Sequence, residues 1–204
     1  MIAAEPRPAA TLILVRNGGH HGERGLETLM VQRNPAARFM PGVWVFPGGA
    51  VDDVDREATA SGDPDEAAHR ACARRELREE AGIELAGDAE LWPWSRWITP
   101  EVVPVRFDTR FYLAEAPPHA GPEADGDEVV AAEWVAPPGA LERGRAGSFE
   151  LAFPTIRHLE GLCEFATAAD ALAAARTRHV EPILPRVVGT REDWRVVLPG
   201  EPEY

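Results

Sequence analysis

The sequence predicts an α/β layered fold. Three observations carry this reading. Short apolar runs bounded by glycine and proline read as strands at residues 11–15, 27–32, 43–46, 105–114 and 129–135. One long capped helical stretch, residues 64–81, interrupts them. Two further helical stretches, residues 155–165 and 168–178, follow the last strand. Strands interleaved with helices are the pattern of a layered sheet.

Each element has a local reason. Residues 11–15 read Thr-Leu-Ile-Leu-Val, a strand with no polar face. Residues 17–25 hold four glycines and two histidines and read as a loop, so residues 27–32 complete a hairpin. The strand at 43–46 is closed by Pro47-Gly48-Gly49, and the acidic stretch 51–62 reads as an irregular loop. Asp63 suits an N-cap, Pro64 the first helical position, and Glu66 completes a capping-box pattern. Gly82 is a natural stop. Residues 92–104 are rich in Trp and Pro, and residues 117–127 form a Pro/Gly/acidic loop. Thr167 suits the cap of the last helix, and Pro182, Pro185 and Pro199 mark an extended tail. The expected organisation is one domain over 1–145, with a helical extension and strap over 146–204 packed on it.

Composition narrows the function. The chain has 204 residues and 45% hydrophobic content, enough for a real core. Its 21 basic and 34 acidic residues give a net charge of −13, which argues against a nucleic-acid surface. A phosphate-bearing small molecule stays compatible if a divalent metal supplies positive charge locally. Cys72 and Cys163 belong to no metal-binding cluster and read as reduced thiols. No signal peptide is visible, and no apolar run approaches the roughly 20 residues that span a bilayer. A soluble cytoplasmic protein without membrane partner is expected; a homodimer is compatible with the sequence.

The chemistry concentrates in Arg75-Glu76-Leu77-Arg78-Glu79-Glu80-Ala81-Gly82-Ile83. At about 100° per residue, Glu76, Glu79 and Glu80 share one helix face. Crowded carboxylates repel, and a hard divalent cation turns that repulsion into coordination. Arg75 lies one turn before Glu79 and can hold its carboxylate in position. Arg78 faces solvent. His69 and Cys72 share the acidic face, with surface and packing roles the plainer expectation. A solvated charged helix is the competing explanation, since Glu and Arg are both good helix formers.

This segment resembles the signature of Nudix hydrolases: a glycine, a glutamate after five residues, seven more residues, then Arg-Glu-aliphatic-x-Glu-Glu-x-Gly-aliphatic. Arg75, Glu76, Leu77, Glu79, Glu80, Gly82 and Ile83 match, as does the Pro47-Gly48-Gly49 entry, and the resemblance spans roughly residues 10–136. It implies a Nudix α/β/α sandwich, a mixed β-sheet between helices, and a diphosphate hydrolase using Mg²⁺ or Mn²⁺. The ions would lie on Glu76, Glu79, Glu80 and a backbone carbonyl near Gly48 or Gly49. The catalytic set would be Glu79, Glu80 and Arg75, with Glu128 from the acidic loop as candidate general base. The chain departs from the pattern in two respects. Gly49 and Arg75 are about a dozen residues too far apart, which places an insertion in 51–62. Counting back eight from Arg75, the early glutamate becomes Ala67. Asp52 or Asp53 is then a partial substitute.

Upstream, residues 29–49 resemble the signature of the coenzyme A diphosphatases within the same family. Leu29, Arg33, Arg38, Gly42, Phe46, Pro47, Gly48 and Gly49 match in register; Met30, Val31 and Asn34 depart. The resemblance implies substrate contacts from Arg33, Arg38, Phe46, Gly48 and Gly49. Arginine suits the role because its guanidinium fork binds phosphate oxygens in pairs. The expected reaction is cleavage of coenzyme A or acyl-CoA to 3′,5′-ADP and a 4′-phosphopantetheine product. ADP-ribose or another nucleoside-diphosphate sugar is the rival substrate. A non-catalytic nucleotide-binding regulator is the remaining alternative; such domains typically lose the box glutamates, which are present here. Trp92, Trp94 and Trp97 either stack a base or pack in the core or a dimer contact.

Overall fold

The computed structural model describes residues 4–20, 23–57, 62–190 and 193–204. One mixed sheet organises the molecule. Its strands are β1 (Arg7–His20), β2 (Glu23–Arg33), β3 (Trp44–Val45), β4 (Gly48–Ala50), β5 (Trp92–Ile98), β6 (Phe107–Glu115), β7 (Val129–Val135) and β8 (Pro182–Ile183). The main path runs β3-β2-β1-β6-β5-β8, with β4 paired to β1 and β7 paired to β2. β1 pairs antiparallel with β2 and parallel with β6. A small hairpin of β9 (Arg186–Val188) and β10 (Arg195–Val197) lies in the tail.

β1 explains why its sequence is apolar on both faces. Ala10, Leu12 and Leu14 enter one core with Cys72, Ala73, Leu77 and Ala81 of helix α2 (Pro64–Ala81). Ile13 and Val15 enter a second core on the opposite face. That second core is covered by α3 (Pro137–Arg145), α4 (Phe153–Leu162) and α5 (Ala168–Arg176). Burying each such Leu or Ile contributes roughly 1.5–3 kcal/mol. The result is an α/β/α sandwich with the C-terminal helices on the same sheet as the rest.

Several details differ from the sequence reading, among them β5 in the Trp- and Pro-rich stretch and the short strands of the tail. Both strands of the first hairpin run through much of residues 17–25, because β1 and β2 stay in register out to His20 and Glu23. The acidic stretch 51–62 contains a one-turn helix, α1 (Asp53–Arg56), and residues 58–61 lie outside the described residues. α3 was not anticipated; two prolines at its start hide its helical character, though proline is well placed in a first turn. Glu66 does not close a capping box: Asp63 accepts from the Asp65 amide, while Glu66 pairs with Arg70 and Arg110. The tryptophan cluster is core. Trp94 and Trp97 are buried, with edge contacts to Phe165 and Phe153, and Trp92 packs beside them.

Candidate active site

The site is built where β4 passes the C-terminal half of α2. Gly48 and Gly49 have no side chains because none would fit. A Cβ on Gly48 would meet the Ala10 carbonyl at 2.6 Å, and one on Gly49 would meet the Glu76 carboxylate at 2.3 Å. The bare backbone lets the helix carboxylates come up against the strand. The Gly48 amide donates to Glu80 Oε2 at 2.9 Å. Glu80 is 2% exposed and Glu76 7%. Burial pushes the Glu80 carboxyl up to about 8, assisted by the charges of Glu76 and Glu128 and opposed by the Gly48 amide and Arg33. Burial raises Glu76 as well, against the pull of Arg75. A cleft lined with acids that resist ionising is one that a cation stabilises.

Arg75 is the hub. Its Nε and one Nη donate to both oxygens of Asp55, at 3.0 and 2.9 Å, and the same Nη reaches the Ala50 carbonyl at 3.1 Å. Its other Nη lies between Glu76 Oε1 at 2.8 Å and Glu79 Oε2 at 2.9 Å. Asp55 is buried, which works against its charge. Hydrogen bonds from Arg75 and the Asp52 amide outweigh burial and hold it below the usual carboxylate range. Those bonds, chiefly the one to Asp55, keep Arg75 firmly protonated.

The cleft has a volume of about 580 Å³ and brings together Arg33, Gly48, Gly49, Arg75, Glu76, Glu79, Glu80 and Glu128. Among the described residues, no three His, Cys, Asp or Glu side chains stand close enough to hold a metal ion as they are. The donors nevertheless suit a hard divalent cation. They are carboxylate oxygens on one helix face, beside a glycine cradle that a single Cβ would fill. The residues that would hold one are Glu76, Glu79, Glu80 and the backbone near Gly48.

Residues 5–152 match the NUDIX domain. The chain belongs to the Nudix family. A Nudix hydrolase from Alicyclobacillus acidocaldarius superposes with a TM-score of 0.73 at 29% identity, covering 87% of this chain and 99% of that one. The acyl-coenzyme A diphosphatase NUDT19 of Gallus gallus is 26% identical, covering 97% of this chain and 79% of the relative. The protein of the same name from Homo sapiens is 26% identical over 88% of this chain and 72% of its own length. The NUDIX domain of Shewanella oneidensis NrtR, solved with ADP ribose, shares the fold at 18% identity and a TM-score of 0.56. This Nudix hydrolase is therefore an enzyme of α/β architecture.

Several expectations about the Nudix site need correction. Phe46 does not line the cleft: it is 2% exposed and packs in the core with its ring against His158. Arg38 is exposed and lies outside the cleft lining, although its neighbour Phe39 is part of it. His69 is buried, its Nδ1–H donating to the Asp65 carbonyl at 2.7 Å. Cys72, by contrast, packs in the core as expected, with its thiol pushed up to about 12 by burial and the charges of Asp55 and Glu76. The early acid of the box is not at Ala67. Counted forward from Gly49, a residue after five others is Asp55, the one that grips Arg75. The insertion therefore lies between Asp55 and Arg75, not before the early acid. The forward count was available in the sequence; counting backward across an insertion hid it. Asp52 does line the cleft, 3.9 Å from Arg75. Arg7, Phe39 and Phe107 line it too, and no motif pointed to them.

Proposed function

We propose that this Nudix hydrolase cleaves the diphosphate of coenzyme A or an acyl-CoA, giving 3′,5′-ADP and 4′-phosphopantetheine or its acyl form. One observation carries the choice of substrate. Arg33, from the coenzyme A signature, lines the same cleft as the box glutamates, and, though its charge reaches Glu80, it makes no ion pair within 4 Å of a carboxylate among the described residues. In a chain of net charge −13, an arginine that makes no close ion pair beside an acidic site is best accounted for by an anionic ligand. The acyl-coenzyme A diphosphatase names of two relatives agree with this reading.

The residue roles follow. Glu76, Glu79, Glu80 and the carbonyl near Gly48 would hold Mg²⁺ or Mn²⁺, which when bound would supply Lewis acidity and positive charge at the diphosphate. Asp55 fixes Arg75, and Arg75 fixes Glu76 and Glu79. Glu128, on the cleft wall, is the candidate base for the attacking water, while Arg33 binds phosphate oxygens. The partner is a small nucleotide, not a nucleic acid. No helix among the described residues is long and apolar enough to cross a membrane. A cytoplasmic site of action belongs to the same reading and draws on two unpaired cysteines.

The test compares kcat/KM for coenzyme A, 3′-dephospho-coenzyme A and ADP-ribose in wild type and Arg33→Ala. Coenzyme A is expected to lead in wild type. Arg33→Ala is expected to cost it more than tenfold, the scale of a charge-assisted bond of roughly 1.5–3 kcal/mol. Preference for ADP-ribose would transfer the assignment to nucleoside-diphosphate sugars.

A further inference from the structure

We infer that the end of the cleft remote from the glutamates is the seat of the nucleoside half of the substrate. The base would lie against Phe39 and Phe107, and the additional phosphate of that half on Arg7. This rests on the reading of the cleft as a nucleotide diphosphatase, and adds which half of the substrate lies where.

The floor of the cleft is a strand ladder that acts as a ruler. Thr11, Ala9 and Arg7 alternate along β1 and all line the cleft; Thr109 and Phe107 do the same along β6. β1 and β6 are parallel neighbours, with Ala9 opposite Thr109 and Arg7 opposite Phe107. Thr11 sits opposite Gly48, at the metal-binding end. Four residues at about 3.3 Å each put Arg7 and Phe107 roughly 13 Å further along. An extended nucleoside 5′-diphosphate covers a span of that kind between its phosphates and its base. The intervening floor is small: Ala9, Thr11 and Thr109 leave room for a sugar.

The far end has the chemistry of a nucleotide subsite. Phe39 is 43% exposed and Val105 46%, an uncommon exposure for large apolar side chains, and both line the cleft. The Phe39 and Phe107 rings are 6.0 Å apart at 59°, an open aromatic corner. Arg7 lies 6.0 Å from the Phe107 ring and has no carboxylate partner among the described residues. Aromatic faces and an unpaired guanidinium together fit a base bearing phosphate, whereas an acyl chain has no use for the cation. Arg33 ties the two ends, since its Nε–H donates to the Phe39 carbonyl at 3.1 Å.

The experiment is calorimetric binding of 3′,5′-ADP, 5′-AMP and 4′-phosphopantetheine to the full chain with Mg²⁺, in wild type, Phe39→Ala, Phe39→Tyr and Arg7→Ala. Phe39→Ala is expected to weaken both nucleotides about tenfold and leave 4′-phosphopantetheine unchanged, and Phe39→Tyr to restore them. Arg7→Ala is expected to weaken 3′,5′-ADP more than 5′-AMP. Loss confined to 4′-phosphopantetheine, equal loss for all three ligands, or no nucleotide binding in wild type overturns the inference. 5′-AMP is common to coenzyme A and ADP-ribose, so this outcome stands apart from which of them is hydrolysed. Failure of the hydrolase reading would appear instead as absent turnover with nucleotide binding intact.

Discussion

At the scale of single residues, the site depends on a chain of contacts from Asp55 through Arg75 to the glutamates. Replacing Glu79 or Glu80 with Gln preserves shape and removes charge. Each is expected to lower kcat by at least about 10²-fold in steady-state assays with Mg²⁺. Asp55→Ala strands a partly buried guanidinium, and is expected to cost on the order of 3 kcal/mol in denaturant unfolding besides loosening Glu76 and Glu79. Glu128→Gln tests the base: the acid limb of the pH–rate profile should move or vanish, and an unchanged profile dismisses the candidate. That Glu76, Glu79 and Glu80 share one face was readable from spacing, because helix periodicity dictates it, while their role in holding a metal rested on the family resemblance. Phe46 and Arg38 were not. A motif gives register, and register does not say which side of a strand faces the core or which way a turn points its side chain. Phe46 falls on the core face, and Arg38, beside a turn that bends through Met40 and Gly42, both at positive φ, stays outside the cleft lining.

At the scale of elements, the contact between β4 and α2 sets the geometry. The two glycines of β4 make separable demands. Gly48→Ala drives a Cβ into the backbone of Ala10 and Thr11, so β4 must move off β1. We expect a destabilisation of about 1–3 kcal/mol, read in thermal or urea unfolding. Gly49→Ala meets only the far end of Glu76, at 2.3 Å. Stability should then stay near wild type while kcat falls, by up to about 10²-fold, because a carboxylate is displaced. Helix α2 was readable to both ends, since Asp63, Pro64 and Gly82 are local signals; Gly82 takes φ 65°. α1 and α3 were not. A one-turn helix carries too few residues to show periodicity, and the prolines opening α3 read equally well as a loop.

At the scale of the whole molecule, two cores flank one sheet, and the sequence showed this through β1, apolar at successive positions because both its faces are buried. The strand order and the parallel pairing of β1 with β6 lay beyond it, since pairing between distant strands leaves no local trace. The second core holds His158 against Ser95, with Nε2 and Oγ 2.6 Å apart. Burial, helped by the charge of Arg178 and opposed by the Pro154 carbonyl, pushes this imidazole down to about 3. Its stabilising contribution is full above the unfolded value near 6.5 and is lost as pH falls from there towards 3. Stability should decline by up to about 1.4 kcal/mol per pH unit from this group, and His158→Asn should flatten that slope in urea titrations at pH 7, 5.5 and 4.5. The cleft of Glu76, Glu79 and Glu80 is the proposed diphosphate-hydrolysing centre of the molecule. Mass analysis of the products formed from coenzyme A with Mg²⁺, in wild type and Glu80→Gln side by side, addresses this most directly. The expected result is 3′,5′-ADP and 4′-phosphopantetheine from wild type, abolished by chelation and reduced at least about 10²-fold in Glu80→Gln. Intact coenzyme A after incubation with wild type, and intact ADP-ribose in a parallel incubation, or equal product from both proteins, would contradict it.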